Sequence, residues 1–68
     1  MKVSARNAFS GTILEVRKGA TTAHVIIDVN GTRVTASITN EAVDDLGLKV
    51  GQPATAIVKA SDVMVAVD

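Results

Sequence analysis

The chain of 68 residues contains no cysteine, tryptophan or tyrosine, and only one phenylalanine, one histidine and one proline. Without cysteine it can form neither a disulfide bridge nor a thiolate metal site, and one histidine cannot build a zinc site without carboxylate ligands. A chain this short buries only about 60% of the surface that it exposes when unfolded. Small domains compensate with disulfides, metals or oligomerisation, so the composition favours self-association.

The net charge gives no sign of a nucleic-acid partner. Seven basic residues balance seven acidic ones, whereas a general polyanion binder usually carries a strong positive excess. Single-stranded nucleic acid also needs aromatic side chains for stacking, each contributing about 1–3 kcal/mol, and this chain has only Phe9. We therefore keep weak binding of single-stranded nucleic acid only as an alternative function.

The charges are unevenly distributed along the chain. Residues 1–33 carry five basic and two acidic side chains, and residues 34–68 carry two basic and five acidic ones. This division fits ordinary surface charge, head-to-tail complementarity between subunits, or basic groups gathered at an anion site.

The chain has no apolar run close to the roughly 18 residues that a membrane span needs. Its N-terminus lacks the apolar core of a signal peptide. We therefore expect a cytoplasmic protein with no membrane partner.

Turn signals divide the sequence into short strands. Asn30-Gly31 is the strongest of them, because both residues tolerate the positive φ of a type I′ hairpin turn. Gly11 inside the first strand indicates a bulge or a close backbone approach. Thr39 or Asn40 can cap a short helix that Gly47 would end. The predicted strands span 8–17, 22–29, 32–38, 54–59 and 63–67.

This order predicts an all-β fold: a five-stranded, OB-like Greek-key barrel with one short helix between strands three and four. Residues 1–68 would form a single domain, and an SH3-like barrel is the alternative. Ile26 and the run 63–67 place apolar side chains on both faces of their strands. One small barrel cannot hide them all, so part of that surface is expected to contact another subunit.

The sequence offers no set of catalytic residues. His24 is the only imidazole and lies within a strand, on one face with Ile26 and Asp28. Asp44 and Asp45 are adjacent on the short helix and point in different directions. Nucleophilic catalysis needs a nucleophile, a base and an orienting group together, and the glycines have no phosphate-loop spacing. We expect no enzymatic activity.

Two segments gather hydrogen-bond donors in irregular structure. Ser4-Ala5-Arg6-Asn7 precedes the first strand, and Lys59-Ala60-Ser61-Asp62 separates the last two. Donors collected in a turn suit a small oxyanion. The alternative is that Ser, Arg and Asn near the N-terminus form an ordinary cap and a solvated arm.

These segments, with Leu46-Gly47-Leu48 and Gly51 between them, resemble the molbindin family of small molybdate-binding "Mop" proteins, and the resemblance extends from Val3 to Val67. It implies an OB-like barrel that assembles as a homohexamer, a trimer of dimers. It also implies that molybdate or tungstate binds at subunit interfaces, for storage or homeostasis without turnover, and with no protein atom ligating the metal directly. A structural OB module that only oligomerises is the alternative.

The resemblance also implies two classes of oxyanion site. The first would use side-chain and backbone donors of Ser4, Ala5, Arg6, Asn7, Lys59, Ala60 and Ser61. The second, near a threefold axis, would use Lys18, Gly19, Ala20, Thr21 and His24.

Overall fold

The computed structural model describes all 68 residues and contains four β-strands, one α-helix and one 3₁₀ turn. The helix α1 lies between the third and fourth strands, as the sequence predicts, and the 3₁₀ turn Ala60–Asp62 follows the last strand. The elements are β1 (Asn7–Lys18), β2 (Thr22–Val29), β3 (Thr32–Thr39), α1 (Asn40–Leu46) and β4 (Pro53–Val58).

The strands form one antiparallel sheet in the order β3-β2-β1-β4. The twelve-residue β1 pairs with β4 through its first half and with β2 through its second half. The register between β1 and β2 shifts between Ile13 and Glu15, and a shift of this kind bends the strand. A Cβ on Gly11 would lie 2.3 Å from the Asp28 carbonyl oxygen. Gly11 is therefore required by a close backbone approach, one of the two roles predicted for it.

The predicted turn and helix signals are confirmed. Asn30 and Gly31 have φ values of 50° and 90°, and the Gly31 N–H donates to Asp28 Oδ1 at 3.1 Å. Thr39 is the N-cap, since its hydroxyl oxygen accepts from the Ala42 N–H at 3.0 Å. Gly47 ends α1 with φ of 61°, and the N–H of Leu48 donates to the Val43 carbonyl, which completes a Schellman motif.

The core is small and lies between one face of the sheet and α1. Alternate β2 residues are buried, because strand side chains point to opposite faces, and Val43 of α1 packs against them. The six buried residues of the core are Ile13, Ala23, Val25, Ile27, Val43 and Ala56. Many large apolar side chains stay outside it, among them Phe9, Leu14, Leu46, Val50, Ile57, Val63, Met64, Val65 and Val67.

The predicted fifth strand over 63–67 does not form within the chain. Val63 is extended, with φ of −85° and ψ of 126°, but no residue after it belongs to a strand. Met64, Val65 and Val67 are 92%, 89% and 91% exposed. A strand exists only when its backbone groups pair with a neighbour, and this segment has no neighbour in its own chain. The single chain is thus an open four-stranded sheet, and the five-stranded barrel stays a prediction.

Candidate functional site

The two donor-rich segments of the first predicted site lie at the same end of the β1–β4 pair. Asn7 pairs with Val58 in the ladder, so the residues before Asn7 and after Val58 leave the sheet side by side. Asn7 itself is the first residue of β1 and is half-buried, whereas Arg6 and Lys59 are exposed. The structure therefore brings together two segments that are more than fifty residues apart in the sequence.

In the segment Lys59–Ser61, two of the three backbone carbonyls are occupied and backbone donors are free. The carbonyl oxygens of Lys59 and Ala60 accept from the N–H groups of Asp62 and Val63, at 2.9 and 3.2 Å. The N–H groups of Ala60 and Ser61 donate to no backbone or side-chain acceptor of the chain. The turn therefore offers two free N–H donors beside the Lys59 side chain, with Asp62 as its one carboxylate.

The opening segment also has free backbone donors. The N–H groups of Ser4, Ala5 and Arg6 donate to no acceptor of the chain. Neither Arg6 nor Lys59 belongs to an ion pair, since the two ion pairs of the chain join other residues. Two cations, hydroxyl groups and free N–H groups thus share one edge of the molecule, where a tetrahedral anion could accept several of their hydrogen bonds.

The second predicted site lies at the other end of β1, in the turn that leads to β2. A cavity of about 260 Å³ opens beside this turn and has no apolar lining residue. The structure brings three of the predicted residues to it, while Ala20 and Thr21 lie in the turn without lining the cavity. The lining residues are Arg17, Lys18, Gly19, Thr22 and His24.

Arg17 and Thr22 were not predicted for this site. Arg17 is the cross-strand partner of His24 in the β1–β2 ladder, and only the register of the hairpin shows this. Arg17 Nε lies 3.3 Å from Glu15 Oε1, and Lys18 Nζ donates to Asp44 Oδ1. Unlike Arg6 and Lys59, the two cations here are already paired with carboxylates of their own chain.

Two further cavities have less suitable linings for an anion. The largest, of about 500 Å³, lies between α1 and β1 and contains the Asp44 carboxylate beside Lys18 and Lys49. A groove of about 220 Å³ is lined by Phe9, Val29, Thr32 and Val34 and is largely apolar. The chain has no group of three or more His, Asp or Glu side chains that could hold a metal ion, and neither of its helices has the length and apolar character of a membrane span.

Comparison with known proteins gives a consistent family. The model of the TOBE domain matches residues 3–65. The molybdenum-pterin-binding protein 3 of Clostridium pasteurianum is 41% identical over 96% of this chain and 97% of its own length. The molybdenum transport protein ModE of Herbaspirillum seropedicae is 52% identical over 96% of this chain, which spans only 24% of that protein. Among solved structures, a molybdate-binding protein from Sporomusa ovata superposes with a TM-score of 0.92, at 41% identity over 97% of this chain and 98% of its own.

Proposed function

Because the chain belongs to the TOBE domain family, as one of its small Mop members, we propose that it binds molybdate or tungstate between copies of itself. It is a binding protein rather than an enzyme. Residues 1–68 act as one Mop domain that stores or buffers the oxyanion in the cytoplasm. The observation that carries this proposal is the edge formed by Ser4–Asn7 and Lys59–Ser61, where both cations are unpaired and the N–H groups of Ser4, Ala5, Arg6, Ala60 and Ser61 are free.

The donors at this edge suit a tetrahedral dianion. Hydrogen bonds from Arg6 and Lys59 to a dianion are charge-assisted, and such bonds are roughly twice as strong as neutral ones. Sulfate is smaller, so the same donors cannot all reach its oxygens. Phosphate carries a proton near neutral pH, and an edge made mostly of donors, with Asp62 as its one carboxylate, favours an anion without a proton. Tungstate has nearly the size and charge of molybdate, and we expect little discrimination between the two.

The exposed apolar residues support assembly of several chains. The segment 63–67 is extended and exposed, and the edges of β3 and β4 are unpaired in the sheet. In our proposal this segment pairs with the sheet of a neighbouring copy, supplies the fifth strand of an OB-like barrel there, and contributes to a homohexamer built as a trimer of dimers. Burying its valines removes apolar surface from water, at about 25 cal/mol per Å².

The same assembly explains why an oxyanion would bind at a seam between copies. Lys59–Ser61 directly precedes the exchanged segment, so it lies where one copy crosses to the next. One thin sheet cannot surround four oxygens, whereas two copies can. We expect Arg6 of one copy and Lys59 of another to approach the same ion, and the turn Lys18–Thr21, with His24, to contribute a second class of site.

Titration calorimetry with molybdate, tungstate, sulfate and phosphate tests the proposal. We expect binding of the first two at about micromolar or tighter, weak binding of the others, and a melting temperature that rises with molybdate because the ligand binds only the folded assembly. Light scattering should give a mass several times that of one chain. No heat with any anion would leave the structural oligomerisation module as the better explanation, and a stable monomer would contradict interfacial sites.

A further inference from the structure

Asn40, the first residue of α1, is bonded to the turn between β1 and β2 by two hydrogen bonds. Its side-chain Nδ2 donates to the Gly19 carbonyl oxygen at 2.9 Å. Its backbone N–H donates to the Thr21 carbonyl oxygen, also at 2.9 Å. Asn40 and Gly19 are 21 residues apart in the sequence. Asn40 therefore fixes the turn to the start of α1 through long-range hydrogen bonds.

These contacts occupy two of the carbonyl oxygens of the turn. The Gly19 N–H donates to the Thr22 carbonyl oxygen at 2.8 Å, so the carbonyls of Gly19, Thr21 and Thr22 all accept a hydrogen bond. The N–H groups of Ala20 and Thr21 donate to no acceptor of the chain. Two of the three occupied carbonyls are occupied by Asn40. The turn therefore presents two free N–H donors, and three of its carbonyl oxygens are already occupied.

The chain keeps this arrangement although it leaves a polar atom without a partner. Asn40 Oδ1 is buried and accepts no hydrogen bond, whereas buried polar atoms are nearly always satisfied. Turning the amide over would place Oδ1 against the Gly19 carbonyl oxygen and would lose the existing bond. A buried polar atom without a hydrogen bond lowers stability, and such a cost is typical of positions that serve function rather than stability.

We propose that Asn40 is a positioning residue for oxyanion binding at the Lys18–Thr21 turn. It touches no ion; it acts through the turn, by holding the carbonyls of Gly19 and Thr21 and so leaving the N–H groups of Ala20 and Thr21 directed to a ligand. This inference rests on the second class of site in the proposed function. Backbone donors matter here because the nearest cations, Arg17 and Lys18, are already paired with carboxylates.

Asn40→Ala, compared with Thr39→Ala, tests this role. Thr39→Ala removes the N-cap hydrogen bond to the Ala42 N–H and weakens the same helix start, but it leaves both contacts to the turn. Sodium molybdate is titrated into the assembled, ¹⁵N-labelled protein, and amide signals are followed separately for the turn and for Ala60 and Ser61. A purely structural role for Asn40 would not distinguish the two variants.

In the wild type we expect molybdate to shift the Ala20 and Thr21 amide signals. Asn40→Ala should weaken that binding roughly two- to tenfold, the effect of the one lost hydrogen bond from Nδ2 to the Gly19 carbonyl oxygen, while Thr39→Ala leaves it near the wild-type value and neither variant changes binding at Ala60 and Ser61. Equal losses in both variants, or an unchanged affinity in Asn40→Ala, would overturn the positioning role and leave the second site standing.

A wild-type protein whose Ala20 and Thr21 signals do not respond would refute the second site itself, together with this inference, without touching the first site. If Asn40→Ala does not fold, Asn40→Ser serves in its place. Serine is well tolerated at helix starts, but its hydroxyl is one atom too short to replace Nδ2 at the Gly19 carbonyl. It should show the same selective loss at the turn.

Discussion

The two candidate oxyanion regions lie at opposite ends of β1. They differ in whether their cationic side chains are paired with carboxylates of the same chain. At the Asn7 end, Arg6 and Lys59 have no carboxylate partner. At the Lys18 end, Lys18 is bonded to Asp44, and Arg17 contacts Glu15. The first region thus offers full charges on exposed side chains, whereas the second offers backbone dipoles on a turn that Asn40 holds by two hydrogen bonds. The difference indicates that cation replacements should affect the first region far more than the second.

Deleting residues 63–68 should have the largest effect. The deletion removes the exposed valine-rich segment that directly follows Lys59–Ser61, so we expect light scattering to report a single chain and calorimetry to lose molybdate binding at the first region. Removing Asp68 alone is the control, because it lies outside the apolar run. A truncated chain that still assembles would contradict the exchange of this segment between copies.

Arg6→Ala and Lys59→Ala should each have the next largest effect. Losing a hydrogen bond to a charged group costs about 1.5–3 kcal/mol, which corresponds to a loss of affinity of roughly 10- to 150-fold. Arg33→Ala removes the same charge from an exposed position in β3 and should leave calorimetric affinity almost unchanged. If all three variants weaken binding equally, net charge rather than contact is responsible.

Asp44→Asn should have the smallest effect, and the effect should be a gain. It releases Lys18 from its carboxylate partner, and an exposed ion pair contributes at most about 1 kcal/mol. Molybdate affinity at the Lys18–Thr21 turn should therefore rise by roughly two- to fivefold. Asp45→Asn removes the same charge from α1 without freeing Lys18. An equal gain in both variants would show that the loss of one negative charge from α1 is enough, and it would contradict a specific role for the Lys18–Asp44 ion pair.

The β2–β3 hairpin and α1 could be predicted because their signals are local. Asn30-Gly31 has the backbone freedom that its turn requires, and the alternation over 22–29 matches the buried residues of β2. Thr39 and Gly47 bound the helix through hydrogen bonds to residues only three to five positions away. Such short-range rules depend little on the rest of the fold.

The predictions that are unconfirmed or incomplete depend on distant parts of the chain or on other chains. Residues 63–67 have the composition of a strand, but no neighbour for them exists within one copy. Arg17 was missed because the β1–β2 register, which shifts after Ile13, decides which side chain lies opposite His24. The sequence indicates only a helix-capping role for Asn40, since nothing in it shows that its amide reaches Gly19.

The long strand β1 also acts as a spacer between two ion positions. Its twelve residues, at about 3.3 Å each, separate Asn7 from Lys18 by at most about 36 Å. The bend after Ile13 shortens this separation, but even half of it is about twice the Debye length of about 8 Å at physiological ionic strength. Two dianions held at its ends would hardly repel each other within one copy, so filling one position would not discourage filling the other. Cooperativity in loading, if measured, would originate in the contacts between copies.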